Sequence, residues 1–219
     1  MHDLILSQSQ AEGAALMRLT FDRAVPGHVA PGQFVTVHVE GHKAGYFALA
    51  SGPGQVTELL IKPQGPVAEH LAALPVGAVV RVSDPIGKGF GVEADGRPLV
   101  VLVNGSGISA VRGLIDAEIA GGLPRPVHLL YGVLTPGHAA FQERLAAWRA
   151  AGVAVHLVLD APQEGWDGPT GFVQHHAQRL GLVTDAVSVA LVGFPAMIEE
   201  TKALYAAAGL APERVRTNF

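Results

Sequence analysis

No cysteine occurs among the 219 residues, which excludes disulfides, cysteine-ligated zinc and ordinary iron–sulfur clusters. Positive charge is also short: 15 Lys and Arg stand against 19 Asp and Glu, a net charge of −4. Nucleic acid usually requires a basic face, so it is not an expected partner. No apolar run comes near the roughly 18 residues that cross a bilayer, so no membrane insertion is expected. The N-terminus, MHDLILSQSQ, carries an acid at Asp3 and a short apolar core, and reads as neither a signal nor a transit peptide. These absences leave a soluble protein, with the cytoplasm as the plain expectation.

Two catalytic patterns are missing as well. The ten histidines are scattered, with no His-Glu-x-x-His pair, and His175 and His176 point to two faces of an expected helix. No metal site is expected. The serine of NGSGIS lies in Gly105-Ser106-Gly107, one residue short of the Gly-x-Ser-x-Gly elbow of serine hydrolases. No internal repeat and no low-complexity tract appears.

What is present is a globular composition, 49% apolar and 16% charged, written in two different patterns. Up to about residue 96, strand-length segments (AALMRLTFD, QFVTVHV, YFALAS, VTELLIK, AVVRVSD) are separated by turns such as AVPG, APGQ and KPQGP. Short strands at this spacing predict a sandwich or small barrel, with one short helix over residues 67–74. The turn-rich GVEADGRP is the expected join. From residue 97 to 219, apolar strands (LVVLVN, VHLLYG, VAVHLVLD, VSVALVG, then a short RVRTN) alternate with helices near 109–120, 140–151, 171–180 and 195–208. That alternation predicts a five-stranded, parallel, doubly wound sheet. The expected architecture is an antiparallel β-barrel domain over residues 1–96 and an α/β domain over residues 97–219.

The strongest site lies where LVVLVN runs into Gly105-Ser106-Gly107-Ile108-Ser109 and then into a helix. Glycines admit a pyrophosphate to the backbone, and a helix N-terminus offers free N–H groups and a positive dipole end. Ser106 and Ser109 are candidate hydroxyl donors to the same anion. Gly132 and Gly193 follow two further strands. In such a sheet all three turns fall at the carboxyl edge, where ligands bind.

In order along the chain, NGSGIS, LLYG, WDGPTGFV and LVGFPAM resemble the ferredoxin–NADP reductase superfamily. GSGISA stands where that family has Gly-Thr-Gly-Ile-Ala-Pro. Val192-Gly193-Phe194-Pro195-Ala196-Met197 stands in place of Cys-Gly-Pro-Pro-x-Met. Trp-x-Gly-x-x-Gly-x-Val is intact at Trp166, Gly168, Gly171 and Val173. With IGKGF at 86–90 and a chain ending in NF, the sequence is similar to a little-characterised, stand-alone plant and bacterial branch. The resemblance implies a flavin-binding barrel followed by a nicotinamide nucleotide-binding domain.

It also shows what has been lost. The family's flavin strand reads Arg-x-Tyr-Ser, whereas this chain has Gly45, Tyr46, Phe47 and Ala48, followed by Leu49, Ala50 and Ser51. The phosphate-binding cation, the phenol and the edge serine are gone. The family's Gly-x-x-Ser appears as Gly65-Pro66-Val67-Ala68, without its hydroxyl. Phe47 can still stack on a flavin ring, and the helix start at Val67 and Ala68 can still receive a diphosphate. Lys43, Lys62 and Lys88 are candidate replacement charges, and Ser51 and Thr36 candidate replacement hydroxyls. The counterparts of the groups that align nicotinamide and flavin are Ala48 and Val192, which donate no side-chain hydrogen bond. The resemblance gives Phe194 and Met197 a place at the nucleotide site and Phe219 a place over the flavin, the last equally readable as a core residue.

The implied cofactors are FAD (or FMN) and a nicotinamide nucleotide. NAD(H) is favoured over NADP(H) because Gly132-Val133-Leu134-Thr135 offers no cation for a 2′-phosphate. The expected activity is flavin-dependent NAD(P)H oxidation, with electrons passed to a separate electron-acceptor protein since the chain lacks ligands for its own cluster. The eroded motifs keep a second reading open, that of a non-catalytic nucleotide- or flavin-binding protein.

Overall fold

The computed structural model describes residues 1–161 and 163–218. Phe219, offered above as a flavin-covering residue, lies outside the described residues. The first half contains β1 (His2–Glu12), β2 (Leu16–Phe21), β3 (Phe34–Val37), β4 (Gly45–Ala48), β5 (Glu58–Ile61), α1 (Pro66–Ala73) and β6 (Val79–Val82). The strands form one antiparallel sheet in the order β4-β3-β6-β1-β2-β5. It closes on itself where Leu49 bridges Leu59 and the Ala50 N–H donates to the Glu58 carbonyl at 2.8 Å. Side chains on a strand alternate in direction, so Leu4, Leu6, Leu19, Phe21, Val35 and Leu59 turn inward and fill the barrel. Val67 and Leu71 of α1 complete that core.

The sequence reading assigned no strand to residues 2–12, yet β1 is the longest strand among the described residues. It pairs with β6 through residues 2–5 and with β2 from Leu6 onward, with a register shift between Leu6 and Gln8. Only Leu4 and Leu6 are buried, so most of its length shows no alternating apolar signal.

The second half contains β7 (Leu99–Asn104), α2 (Ile108–Ala120), β8 (Val127–Val133), α3 (Gln142–Ala150), β9 (Ala154–Leu159), α4 (Val173–Arg179), β10 (Ser188–Val192), α5 (Pro195–Ala207) and β11 (Val215–Arg216). All five strands are parallel, in the order β11-β10-β7-β8-β9. The unbroken LVVLVN run is explained by cover on both faces. Leu99, Val101 and Val103 pack with α2 and α3, while Val100 and Leu102 pack with α4 and α5.

The two halves share a core, since Leu16, Ala50, Leu60 and Phe90 of the first pack into the cluster beneath α2. Polar contacts cross the same seam. The Phe141 N–H donates to Glu12 Oε2 at 2.8 Å, the Ala14 N–H to the Gly137 carbonyl at 2.7 Å, and Asn218 Nδ2 to the Gly32 carbonyl at 3.1 Å. Arg112 of α2 bonds Glu58 of β5.

Candidate functional site

β7 ends in a 3-10 turn, Gly105–Gly107, that runs straight into α2. Gly105 has φ 51, a conformation that costs glycine little, and its carbonyl accepts a hydrogen bond from the Tyr131 hydroxyl at 3.1 Å. The same hydroxyl accepts from the Ala140 N–H at 3.2 Å. Burial pushes the Tyr131 phenol up to about 12, so it stays a donor across the neutral range. A Cβ on Gly107 would lie 3.0 Å from methyls of both Val103 and Val192, which leaves little room for anything but glycine. The Ser109 hydroxyl, offered above to an anion, donates instead to the Ser106 carbonyl at 2.8 Å and holds the turn.

A cleft of about 670 Å³ opens between this turn and the barrel. Ser106, Gly107, Ser109, Ala110 and Val192 line it from the second half. Gly45, Tyr46, Phe47 and Ala48 of β4 line it from the first, with Phe34 beside Tyr46 at 6.0 Å between ring centres. Lys43, Lys62 and the start of α1 (Gly65, Pro66, Val67, Ala68) form a further wall. Gly65, at φ 86, precedes Pro66, so the first helical residue has no N–H to satisfy. The Gly65 N–H is bonded to Glu69 Oε1 at 3.1 Å. Lys88 is absent from these walls.

The residues that follow Ala48 lie beneath the cleft. Leu49 and Ala50 are core residues, and Ile108 is fully buried. Ser51 is buried and its Oγ accepts from the Glu58 N–H at 3.2 Å. Thr36 is buried against His38, with 3.3 Å from Oγ1 to Nε2. Neither lines the cleft. A Cβ built on Gly45 would lie 2.7 Å from Cε2 of Phe47 and 2.9 Å from Cγ1 of Val67. The space of the family's arginine stem is thus occupied by the Phe47 ring.

A second cleft, of about 330 Å³, lies at the ends of β7, β8 and β9. Gly132, Phe194 and Met197 line it together with Asn104, Asp160, Phe172 and Glu200, which the sequence reading had not singled out. Gly193 stands at its edge, where a Cβ would come 2.4 Å from Met197 Sδ. Phe172 and Phe194 are 60% and 71% exposed, two large rings left in water at the rim. Its lining carries two carboxylates and no Lys or Arg. Bonds from His175 and Gln174 hold the Glu200 carboxyl below its ordinary value. Asp160 could have been found as the acid that ends VAVHLVLD, and Phe172 as the aromatic inside GPTGFV. Trp166, by contrast, packs on its own turn and donates to the Pro169 carbonyl at 3.1 Å. Among the described residues, no group of three or more metal-ligating side chains can hold a metal ion.

A closed antiparallel barrel facing the glycine turns of a doubly wound sheet defines the two-domain reductase architecture. Residues 101–203 match the Oxidoreductase NAD-binding domain family. The two-domain fold is that of ferredoxin–NADP reductase-like structures, a flavin-type barrel followed by a nucleotide-binding α/β domain. It is 32% identical over 206 residues to the fruit protein pKIWI502 of Actinidia deliciosa, covering 85% of this chain and 65% of that protein. It is 27% identical over 219 residues to the ferredoxin–NAD(P)(+) reductase component of the naphthalene 1,2-dioxygenase/salicylate 5-hydroxylase systems of a Ralstonia species (93% and 64%). The chain thus spans no more than about two thirds of these curated relatives. Among solved structures, a cytochrome P450 reductase of Amycolatopsis superposes with TM-score 0.86 at 24% identity, covering 99% of this chain and 69% of that one. The flavohem-like FAD/NAD-binding domain of nitric oxide dioxygenase from Vibrio cholerae gives 0.85 at 19%, covering 98% and 96%.

Proposed function

We propose that this chain is an NADH-dependent flavin oxidoreductase that hands electrons to a separate acceptor protein. One observation carries the reading: the larger cleft has walls from both halves, with Phe47 and Ala48 of β4 facing Gly107 and Val192 of the nucleotide sheet. Two flat rings, one from each cofactor, can meet there, and contact between rings is the main requirement of hydride transfer. The residues fit a flavin. Phe34, Tyr46 and Phe47 offer apolar and aromatic surface, the start of α1 offers N–H groups to a diphosphate, and Lys43 and Lys62 supply charge in place of an arginine. Bound there, FAD supplies acceptance of hydride from the nicotinamide and onward release of electrons. FMN would use the same ring site.

The nicotinamide nucleotide is assigned to the Gly105–Ser109 turn and the second cleft, between Gly132 and Gly193. Asp160 and Glu200 on that cleft repel a 2′-phosphate and no lining cation attracts one, which favours NADH over NADPH. The acceptor is assigned outside these 219 residues because they hold no cysteine for a cluster. The naming of the Ralstonia relative as a reductase component agrees with that assignment.

A second reading has its own support. The Gly45 position is filled by a neighbouring ring, and Ala48 and Val192 carry no polar side chain, as in a fold kept for binding alone. The test is an absorption spectrum of purified protein with FAD, followed by anaerobic NADH. We expect visible flavin absorption that NADH bleaches, with NADH preferred over NADPH by about tenfold. Bound flavin that NADH never reduces would favour the binding-only reading. Protein that stays colourless with excess FAD and FMN would overturn the flavin assignment.

A further inference from the structure

Asn218 is 4% exposed and is one of the residues that line the barrel cleft. One end of the carboxamide is committed, since Nδ2 donates to the Gly32 carbonyl at 3.1 Å. That bond fixes the amide's orientation, because a carbonyl can only accept. The other end, Oδ1, is buried and has no partner. A buried acceptor left without a donor is costly, so such a group calls for an explanation.

Its surroundings are tightly packed. A Cβ on Gly32, at φ 95, would lie 2.8 Å from the Phe90 ring and 3.2 Å from Asn218 Cβ. One on Gly87, at φ 89, would lie 3.1 Å from the Asn218 carbonyl and equally far from the Phe34 ring. Gly32 lies two residues before Phe34, the partner of Ala48 in the β3–β4 ladder. Asn218 thus brings a polar side chain from the nucleotide half to a cleft that Phe34 and Ala48 of the barrel also line.

We propose that Asn218 is a flavin-binding residue whose Oδ1 accepts a hydrogen bond from the imide N–H of the isoalloxazine ring. The reasoning is a matching of donors to acceptors. An orphan acceptor requires a ligand donor, and the oxidised isoalloxazine ring carries a single N–H, on its imide. The flavin is preferred to the nicotinamide because Asn218 is anchored on the barrel, through Gly32, and not on the strand-end glycine turns. This assignment rests on the flavin reading of the cleft, and it gives the C-terminal tail a part in a site built otherwise from the barrel and the turn after β7.

The test compares FAD with FAD methylated at the imide nitrogen, by fluorescence titration of the natural protein and of Asn218→Ala. We expect the natural protein to bind FAD about tenfold more tightly than the methylated form, and the variant to bring that ratio close to one. The ratio in the natural protein stands even if the variant folds poorly. Equal affinity of the natural protein for both flavins, or an unchanged ratio in Asn218→Ala, would overturn the assignment. So would unchanged FAD binding accompanied by weakened NAD⁺ binding in the variant, which would give the carboxamide to the nicotinamide. If the natural protein binds neither flavin, the flavin reading of the cleft fails first, and this assignment with it.

Discussion

At the scale of single residues, the sequence showed which groups were missing but not what had moved into their place. Gly45 reads as an erased arginine, and the obvious repair is to put the arginine back. The structure argues against it: Phe47 and Val67 lie within 3 Å of where the new Cβ must go. Overpacking of this kind costs about 1–3 kcal/mol, and the displaced ring is itself a wall of the flavin cleft. Gly45→Arg should therefore lower the denaturation midpoint and weaken FAD binding, alone or with Ala48→Ser. Tighter FAD binding by Gly45→Arg in a titration would show that Phe47 yields easily. The glycines after β7 and β10 were legible because their turns follow directly from apolar strands, whereas Gly132, expected after its strand, lies inside β8. Ser51 and Thr36 misled because a hydroxyl near a motif carries no sign of its hydrogen-bond partner. Asn218 and Glu200 belong to no local pattern, and only the tertiary fold brings them to a cleft.

At the scale of elements, strand–helix alternation in the second half was readable because each period is strong and each strand is covered on both faces. β1 was not, since a strand with two buried leucines and a polar remainder has no period to detect. A further feature appears only when β8, β9 and α4 are assembled. His128 and His156 stack with ring centres 6.2 Å apart, and His176 meets His156 edge-on at 5.4 Å. Each ring has a buried nitrogen without a partner: Nδ1 of His128, Nε2 of His156 and Nδ1 of His176. Burial holds all three below the usual imidazole value, and mutual repulsion, Arg149 and Arg179 add to it. The unfolded chain, with histidines near 6.5, thus binds protons that the folded chain refuses. Stability from this row is fully present above about pH 6.5 and is lost as pH falls through the lower folded values. Urea unfolding followed between about pH 7.5 and 5 should show that decline, and His156→Leu should flatten it. His28, also held low by burial, leaves part of the slope in the variant. An identical slope in both proteins would mean that the row stays neutral in neither state, or that its protonation is relieved by local opening.

At the scale of the whole molecule, function depends on how firmly the barrel is held against the nucleotide sheet, because the larger cleft has walls from each. The seam contains a charged contact that the sequence could not disclose, since its partners lie 54 positions apart. Arg112, with its side chain 5% exposed, bonds Glu58, lies 3.8 Å from Asp116 and covers the ring of Phe141 at 4.9 Å. Glu58 in turn bonds Ser51 and Ala50 through its main chain, beside β4. Losing one member strands the other in a poorly solvated seam, which typically costs about 3–5 kcal/mol, whereas replacing both by apolar groups is often neutral. We therefore expect Glu58→Leu alone to lower the unfolding free energy by about 3 kcal/mol, and Arg112→Met with Glu58→Leu to recover most of it. The double variant separates stability from geometry. If the pair also sets the distance between the two halves, that protein will be as stable as the natural one yet slower in flavin reduction by NADH. Full recovery of both would make the pair a stabilising contact only. Failure of the double variant to recover stability would show that Asp116 and Phe141 depend on the guanidinium as much as Glu58 does.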